Sequence, residues 1–261
     1  IGSAAPIGCH RKTRSCIKRA KTNTPEQPRG GDLLQKEHPM PLSERLPKMV
    51  IFDCDGVVVD SEPLTLRLIR DDLAERGLPL ELPKIADLFV GGTIAGAGAQ
   101  ARAMGAAIPE NWADQIYDKV FAALASSVEP IPGIGAVLDH LDHQSIPYAI
   151  GSNGPHRKME ITLARCGLAA RFVGRIYSRE DVAAPKPAPD VYLLAASQAG
   201  VAAKDCVVIE DSATGAQAAV AAGMAVIGFA RETPPAKFAG LTELVFDDMA
   251  QLPALLGLSA E

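Results

Sequence analysis

Acidic residues directly follow two short apolar runs of this sequence. Asp53-Cys54-Asp55-Gly56 follows the run Met49–Phe52, and Glu210-Asp211-Ser212 follows the run Cys206–Ile209. Short apolar runs of this kind are typical of buried strands, and open parallel sheets bind ligands at the carboxyl ends of their strands. Carboxylates crowded at one sheet edge repel each other unless a cation lies among them. An all-oxygen set without His or Cys favours Mg²⁺, so we predict a magnesium site.

Two further segments have the chemistry of a phosphate site. Ser152-Asn153-Gly154-Pro155 follows the apolar run Tyr148–Ile150, and Lys186 stands between Pro185 and Pro187. Each segment alone also fits an ordinary turn or helix start. Together with the carboxylates, however, a hydroxyl, a helix N-terminus and an ammonium group suit the oxygens of a phosphoryl group. The combination predicts phosphoryl transfer to a carboxylate, a reaction that depends mostly on positioning and charge neutralisation.

The elements that must position these residues alternate along the chain. Short runs rich in β-branched residues predict six strands, at Met49–Phe52, Tyr148–Ile150, Val173–Tyr177, Cys206–Ile209, Val226–Phe229 and Leu244–Phe246. Stretches with helical spacing lie between most of them, at Gly133–His143, Arg157–Cys166, Asp190–Ala199 and Ala213–Ala222. This alternation predicts an α/β fold, a doubly wound parallel sheet covered by helices on both faces.

One interval interrupts the alternation. Between the first strand and the helix that opens near Pro132, no stretch reads as a strand, whereas Pro63–Arg76, Ile94–Met104 and Asn111–Ala125 have helical spacing. We therefore predict an inserted α-helical cap at residues 65–128. Residues 48–64 and 129–257 then form the α/β catalytic core. Mobile lids on rigid cores commonly gate active sites.

Composition and charge narrow the class of protein. Residues 1–48 hold 10 Lys and Arg against 4 Asp and Glu, whereas the whole chain has a net charge of −5, so the remainder is acidic. An acidic body argues against a nucleic-acid partner. We predict that residues 1–47 form a disordered leader; the first 25 also loosely resemble an organelle-targeting leader. The longest apolar run, of 13 residues, is too short to span a membrane. Cys54 and Cys206 are expected to be reduced and buried, which fits a cytoplasmic location.

The motifs, in their order along the chain, resemble those of the haloacid dehalogenase (HAD) superfamily. The first is Val50-Ile-Phe-Asp53-Cys-Asp55-Gly-Val-Val-Val-Asp60-Ser61-Glu62. It is followed by Gly151-Ser152-Asn153-Gly154, by Lys186-Pro-Ala-Pro-Asp190 and by Glu210-Asp211-Ser212. The chain looks most like the subfamily with a helical cap after the first motif, which includes phosphatases of 6-phosphogluconate and phosphoglycolate and β-phosphoglucomutase. Ser152-Asn153-Gly154-Pro155 with Lys158-Met159 is similar to the 6-phosphogluconate phosphatase type.

The resemblance implies a role for each motif residue. Asp53 attacks phosphorus and becomes an aspartyl phosphate, while Asp55 protonates the leaving alcohol and then activates water. Three residues are implied to bind the phosphoryl group: Ser152, Asn153 and Lys186. Mg²⁺ is implied to be held by Asp53, the backbone carbonyl of Asp55 and Asp211, with Glu210 either a further ligand or a hydrogen-bond partner of the ligands.

Single residues distinguish a phosphatase from other functions of similar proteins. β-Phosphoglucomutases resemble this chain but have a His where it has Thr65, and an Arg in the cap loop where it has Gly91-Gly92-Thr93-Ile94. These two differences favour a phosphatase, and mutase activity is kept as the alternative. Members that displace halide lack the second carboxylate, which is present here as Asp55. A phospho-receiver module would need neither a cap nor a residue that activates water.

The expected partner is a small phosphorylated metabolite: a sugar phosphate, a sugar-acid phosphate or phosphoglycolate. Three arginines of the cap region are candidate contacts for an anionic substrate tail: Arg67, Arg70 and Arg102. The sequence indicates no oligomeric state, and a monomer is compatible with it.

Overall fold

The computed structural model of this protein describes residues 46–89 and 93–258. The predicted leader lies outside these residues except for Leu46 and Pro47. No helix among the described residues combines the length and apolar character that a bilayer crossing requires. Cys54 and Cys206 are buried free thiols, as the sequence predicts.

The core is a six-stranded parallel sheet with the strand order β3-β2-β1-β4-β5-β6. Its strands are β1 (Met49–Phe52), β2 (Tyr148–Ser152), β3 (Ile176–Ser178), β4 (Cys206–Glu210), β5 (Ala225–Phe229) and β6 (Val245–Phe246). The predicted α/β fold class is confirmed. β1 pairs with β2 on one side and with β4 on the other, so the strand order reverses there, and such switch points open a crevice at the strand ends.

The prediction for the third strand was wrong in its limits. Val173 is 76% exposed and lies before the sheet, in a turn that passes through Gly174 at φ 71°. A short 3₁₀ helix at Ala169–Phe172 precedes that turn. The strand therefore begins only at Ile176, and a left-handed glycine interrupts a stretch whose β-branched composition reads as continuous strand.

Helices cover both faces of the sheet. Those of the core are α5 (Ile134–His143), α6 (His156–Arg165), α7 (Asp190–Gln198), α8 (Ala213–Ala221) and α9 (Leu252–Leu255). Alternate residues of a strand point to opposite faces. Accordingly, Val50 and Phe52 join one buried apolar cluster, while Met49 and Ile51 join the other. Burial on both faces is the reason that β1 reads as a continuous apolar run.

Four helices fill the interval between β1 and α5. They are α1 (Glu62–Glu75), α2 (Leu82–Phe89), α3 (Ile94–Ala103) and α4 (Trp112–Ser127). Of these, α2 was not predicted. The division into a cap at residues 65–128 and a core remains a prediction, since the described residues of both belong to one compact unit.

A buried carboxylate ties α1 to α4. The carboxylate of Asp72 accepts hydrogen bonds from Trp112 Nε1 at 2.6 Å, from Arg76 Nε at 2.6 Å and from Lys119 Nζ at 2.7 Å. Burial alone raises the pKa of Asp72, but these three donors outweigh it and lower the pKa to about 2. The ion pairs therefore help to hold the two longest helices of the insertion together.

Helix α4 also packs along α6, which places the insertion beside the sheet edge. The guanidinium carbon of Arg157 lies 5.2 Å from the ring centroid of Phe121, within the range of a cation–π contact. Farther along the same seam, Arg165 Nε donates to the carbonyl of Ser126 at 3.2 Å.

Candidate active site

The carboxyl ends of β1 and β4 bring two of the predicted acids together. Phe52 is in register with Ile209, and the backbone N–H of Asp53 donates to the carbonyl of Ile209 at 2.9 Å. Asp53 and Glu210 therefore leave the sheet side by side. Both are buried, Asp53 being 8% exposed and Glu210 1% exposed. Two adjacent buried carboxylates require a positive partner.

That partner is the ammonium group of Lys186. Its Nζ lies 2.5 Å from Asp53 Oδ1 and 2.7 Å from Glu210 Oε1, and 4.5 Å from the ring centroid of Tyr192. Only 3% of the Lys186 side chain is exposed. Burial lowers the pKa of Lys186, but Asp53 and Glu210 outweigh it and raise the pKa well above its ordinary value. Lys186 is thus a fixed cation at the oxygens of Asp53.

The side chain of Asn153 holds the Lys186 segment in place. Its Nδ2 donates to the carbonyl of Lys186 at 3.2 Å, and its Oδ1 accepts from the backbone N–H of Lys186 at 2.9 Å. One of the two N–H groups of the amide and its oxygen are therefore engaged with the Lys186 backbone. The role of Asn153 in phosphate binding stays a prediction, with its second N–H and its backbone N–H as the available donors. Ser152 Oγ accepts from the backbone N–H of Gly154 at 3.0 Å at the same turn.

Glu210 has no free oxygen for a metal. Oε1 accepts from Lys186 Nζ at 2.7 Å and from Tyr192 Oη at 2.9 Å. Oε2 accepts from both the backbone N–H and the hydroxyl of Ser212, each at 2.9 Å. Of the two roles left open for Glu210, these contacts favour the hydrogen-bond partner over the metal ligand, and both remain predictions.

Two glycines make room for Glu210, the last residue of β4, and for Asp211, which follows it. A Cβ on Gly56, which has φ 79°, would stand 1.9 Å from Asp211 Oδ2, and one on Gly215 would stand 1.5 Å from Glu210 Oε1. Asp211 therefore packs directly against the backbone that follows Asp55. At α8, the missing Cβ of Gly215 admits the Glu210 carboxylate beside the first turn.

Asp55 has a partner that the sequence did not assign. Lys158 Nζ lies 2.7 Å from Asp55 Oδ1, and the same oxygen accepts a hydrogen bond from the hydroxyl of Ser61. Burial alone raises the pKa of Asp55, but Lys158 and Ser61 outweigh it and lower the pKa below the ordinary value. The available signals for Lys158 were its place in the first turn of the helix that follows Ser152 and its part in the motif that resembles the 6-phosphogluconate phosphatase type.

Asp53 and Asp211 have raised pKa values. Burial, reinforced by Glu210 and Asp55, raises the pKa of Asp53 to about 7, although Lys186 opposes the shift. Burial and Glu210 raise the pKa of Asp211 well above its ordinary value. Both shifts arise first from burial, which disfavours the ionised form, and neighbouring carboxylates add to it. A cation bound among these oxygens would favour their ionised form.

The donor set fits Mg²⁺ by its chemistry. The candidate ligands offer only oxygen, and the carboxylate of Asp211 makes no hydrogen bond or ion pair with any described residue. No group of three His, Cys, Asp or Glu side chains in the described residues is arranged around one cation position. With Glu210 engaged elsewhere, two carboxylates and the Asp55 carbonyl remain. Mg²⁺ typically binds through one or two carboxylates and completes its shell with water and phosphate.

The insertion forms the other wall of a cleft over these residues. The space over these residues, with the open solvent at its mouth included, is about 1040 Å³. The side chains of the insertion that line it are mostly apolar or hydroxylic: Thr65, Leu66, Thr93, Ile94, Tyr117 and Val120.

The cap arginines do not contribute to this wall. Neither Arg67, Arg70 nor Arg102 is among the described residues that line the cleft. Arg70 pairs with the exposed Asp71, and Arg102 donates to the carbonyls of Ile108 and Pro109. The prediction that they contact the substrate tail therefore gains no support from the described part of the cleft. The cleft does contain an arginine, Arg179, but it comes from the core.

The comparison with protein-family models gives one match, to the haloacid dehalogenase-like hydrolases, over residues 47–223. The chain belongs to this family. It is 29% identical over 208 residues to the 6-phosphogluconate phosphatase of Escherichia coli, covering 79% of this chain and 93% of that protein. It is 35% identical over 176 residues to the fructose-1-phosphate phosphatase of the same organism, covering 67% of this chain and 92% of that protein.

A solved structure is similar as well. The HAD family hydrolase of Deinococcus radiodurans, crystallised with bound phosphate and sodium, superposes with a TM-score of 0.70 at 35% identity. The match covers 82% of this chain and 98% of that one. The family match and the phosphatase relatives confirm the predicted enzyme class of this HAD-like hydrolase, a phosphatase. The individual site residues stay predictions.

Proposed function

We propose that this HAD-like hydrolase is a Mg²⁺-dependent phosphatase that forms an aspartyl phosphate on Asp53. Its substrate is a small phosphorylated metabolite, a sugar phosphate or sugar-acid phosphate, in line with the names of its relatives. The observation that carries the proposal is the Asp53 carboxylate, held against buried Lys186 at the mouth of a cleft, with Asp55 two residues farther on.

In the first step an oxygen of Asp53 attacks phosphorus, and the bond between phosphorus and the alcohol oxygen breaks. Lys186, Ser152 and the N–H groups at the start of α6 bind the phosphoryl oxygens. In the free site Lys158 and Ser61 lower the pKa of Asp55, which is therefore ionised. The approach of a phosphate dianion disfavours that form, so Asp55 takes up one proton from solvent as the substrate binds and then gives it to the departing alcohol.

In the second step a water molecule attacks phosphorus, and the bond to Asp53 breaks. Asp55, now ionised, takes the proton of that water and returns to its protonated form. Lys158 stabilises the ionised form at 2.7 Å. The cap limits the entry of bulk water while the acyl phosphate exists.

Asp53, Asp211 and the carbonyl of Asp55 are the residues that would hold Mg²⁺. When bound there, the ion neutralises negative charge and so lets a phosphate dianion approach a carboxylate. The contacts of this chain give no support to mutase activity. Thr65 Oγ1 is engaged with the carbonyl of Ser61 at 2.9 Å, and no His lines the described part of the cleft.

The test is phosphate release from a panel of phosphorylated sugars and sugar acids, with Mg²⁺ or with EDTA, by the wild type and by Asp53→Asn. We expect metal-dependent release that falls by at least about 1,000-fold in the variant, because the nucleophile is lost. Asp60→Asn is the matched control, since Asp60 pairs with Arg231 at 3.0 Å and does not line the cleft.

A second readout tests the covalent intermediate directly. Rapidly quenched wild-type enzyme should contain hydroxylamine-sensitive bound phosphate, and Asp53→Asn should contain none. Undiminished turnover in Asp53→Asn would refute the assignment of Asp53 as the nucleophile. Conversion of glucose 1-phosphate to glucose 6-phosphate without phosphate release would establish a mutase instead.

A further inference from the structure

Three cationic side chains line the described part of the cleft: Lys158, Lys186 and Arg179. The two lysines are neutralised by carboxylates, Lys158 by Asp55 and Lys186 by Asp53 and Glu210. Arg179 differs, because its one polar contact among the described residues is a hydrogen bond from Nη2 to the phenol oxygen of Tyr117, at 3.3 Å. A guanidinium has five N–H donors, so most of them remain available to a ligand.

The sheet places Arg179 at a distance from the reacting centre. Ser178 is in register with Ser152, so Arg179 directly follows the β3 residue that lies beside the phosphate turn. β2 separates β3 from β1, and two interstrand spacings amount to roughly 10 Å. The guanidinium lines the same cleft as Asp53 and contacts Tyr117 of the insertion, so a ligand whose phosphate lies at Asp53 can present a different group to Arg179.

We propose that Arg179, steadied by Tyr117, is a specificity residue that binds a carboxylate at the end of the substrate remote from its phosphate. This inference rests on the proposed phosphatase function and narrows its substrates to sugar-acid phosphates. A guanidinium binds a carboxylate through two parallel hydrogen bonds. A single guanidinium matches the single charge of a carboxylate. A second phosphate, with about twice that charge, would need more cations than this acidic cleft offers.

A matched pair of compounds isolates the carboxylate. 6-Phosphogluconate and glucitol 6-phosphate differ only at carbon 1, which is a carboxylate in the first and a neutral alcohol in the second. We expect the wild type to favour 6-phosphogluconate in kcat/KM, and Arg179→Gln to lower that preference by about 10- to 100-fold. The loss should fall mainly on KM, because the tail is bound equally in the ground and transition states.

Two substitutions serve as references. Arg179→Lys keeps the positive charge but lacks the two parallel N–H groups of a guanidinium, so it should retain part of the preference for 6-phosphogluconate. Arg157→Gln removes an exposed arginine that contacts Phe121 rather than the cleft, and should leave the preference unchanged.

A binding measurement separates this inference from the proposed function. Calorimetry on Asp53→Asn, with and without Arg179→Gln, gives the Kd of both compounds without turnover. A loss of affinity confined to 6-phosphogluconate supports the role of Arg179 even if the wild type releases no phosphate. The absence of phosphate release would refute only the proposed phosphatase function. Equal losses for both compounds, or a wild type that does not discriminate between them, would overturn the role of Arg179.

Discussion

Lys186→Met is expected to destabilise the fold as well as abolish phosphate binding. The methionine keeps much of the apolar stem but removes the ammonium that lies 2.5 Å from Asp53 Oδ1 and 2.7 Å from Glu210 Oε1. Two buried carboxylates then face each other without a cation. Breaking a buried ion pair by removing one partner costs about 3–5 kcal/mol. For a chain of this size that corresponds to a fall in Tm of about 10 °C.

The cost should depend on pH with a definite sign. Burial holds the pKa of Asp53 at about 7, above its ordinary value, and Lys186 is the group that keeps it from rising farther. An acid with a raised pKa in the folded state loses stability as pH rises through that pKa. The wild type has completed this loss near pH 7. The variant continues to lose about 1.4 kcal/mol per pH unit above it, because its pKa is higher.

The assay is thermal unfolding followed by far-UV circular dichroism at pH 7 and pH 8, in EDTA so that no added cation replaces Lys186. Lys204→Met is the control for the substitution itself, since Lys204 is exposed. The difference in Tm between Lys186→Met and the wild type should be large at pH 7 and larger at pH 8. A difference no greater than that of the control, or one that shrinks at pH 8, would refute the reasoning.

Two further predictions concern packing and charge. Gly215→Ala should lower the free energy of unfolding by about 2–4 kcal/mol, because the new Cβ displaces the Glu210 carboxylate, which accepts four hydrogen bonds. The control is Gly135→Ala, whose new Cβ meets nothing within 4 Å and should leave the stability unchanged or raise it. Similar effects of the two substitutions on urea unfolding would contradict the clash between a Cβ at position 215 and Glu210. The pKa of Asp72 is lowered to about 2, so its ion pairs stabilise the fold above about pH 4 and lose that contribution as pH falls toward 2. Urea unfolding should therefore show that the stability deficit of Asp72→Asn relative to the wild type is larger at pH 5 than at pH 3, by up to about 1 kcal/mol once solvent screening of the exposed partners is allowed for. An equal deficit at the two pH values would contradict this role of the Asp72 ion pairs.

The fold was largely predictable because its signals are local. A strand buried on both faces must be apolar throughout, and Met49–Phe52 has the predicted limits. The helix Leu82–Phe89 escaped prediction because it is short and has a proline at its second position, which reads as a loop. Tertiary packing, rather than propensity, sustains such an element.

In the candidate active site, too, local sequence signals were predictable and tertiary contacts were not. Strand alternation and the order of motifs were enough to place Asp53, Glu210 and Lys186 at one sheet edge, because parallel strands all end there. Which polar atoms then pair was decided only by the tertiary structure. Asn153 binds the backbone of Lys186, 33 residues away, and Arg179 of the core meets Tyr117 of the insertion, 62 residues away.

The sequence by itself therefore determined the fold class and the sheet edge at which the motif residues meet, and the resemblance of its motifs indicated the family and the phosphatase class. The chemical roles of the individual residues remain predictions. The tertiary structure decided that Glu210 is saturated by donors, that Lys158 neutralises Asp55 and that Arg179 is left without a carboxylate partner among the described residues. The physical reason is that each lysine and arginine offers several donors on a long side chain. Only burial and the close approach of separate elements determine which acid each one meets.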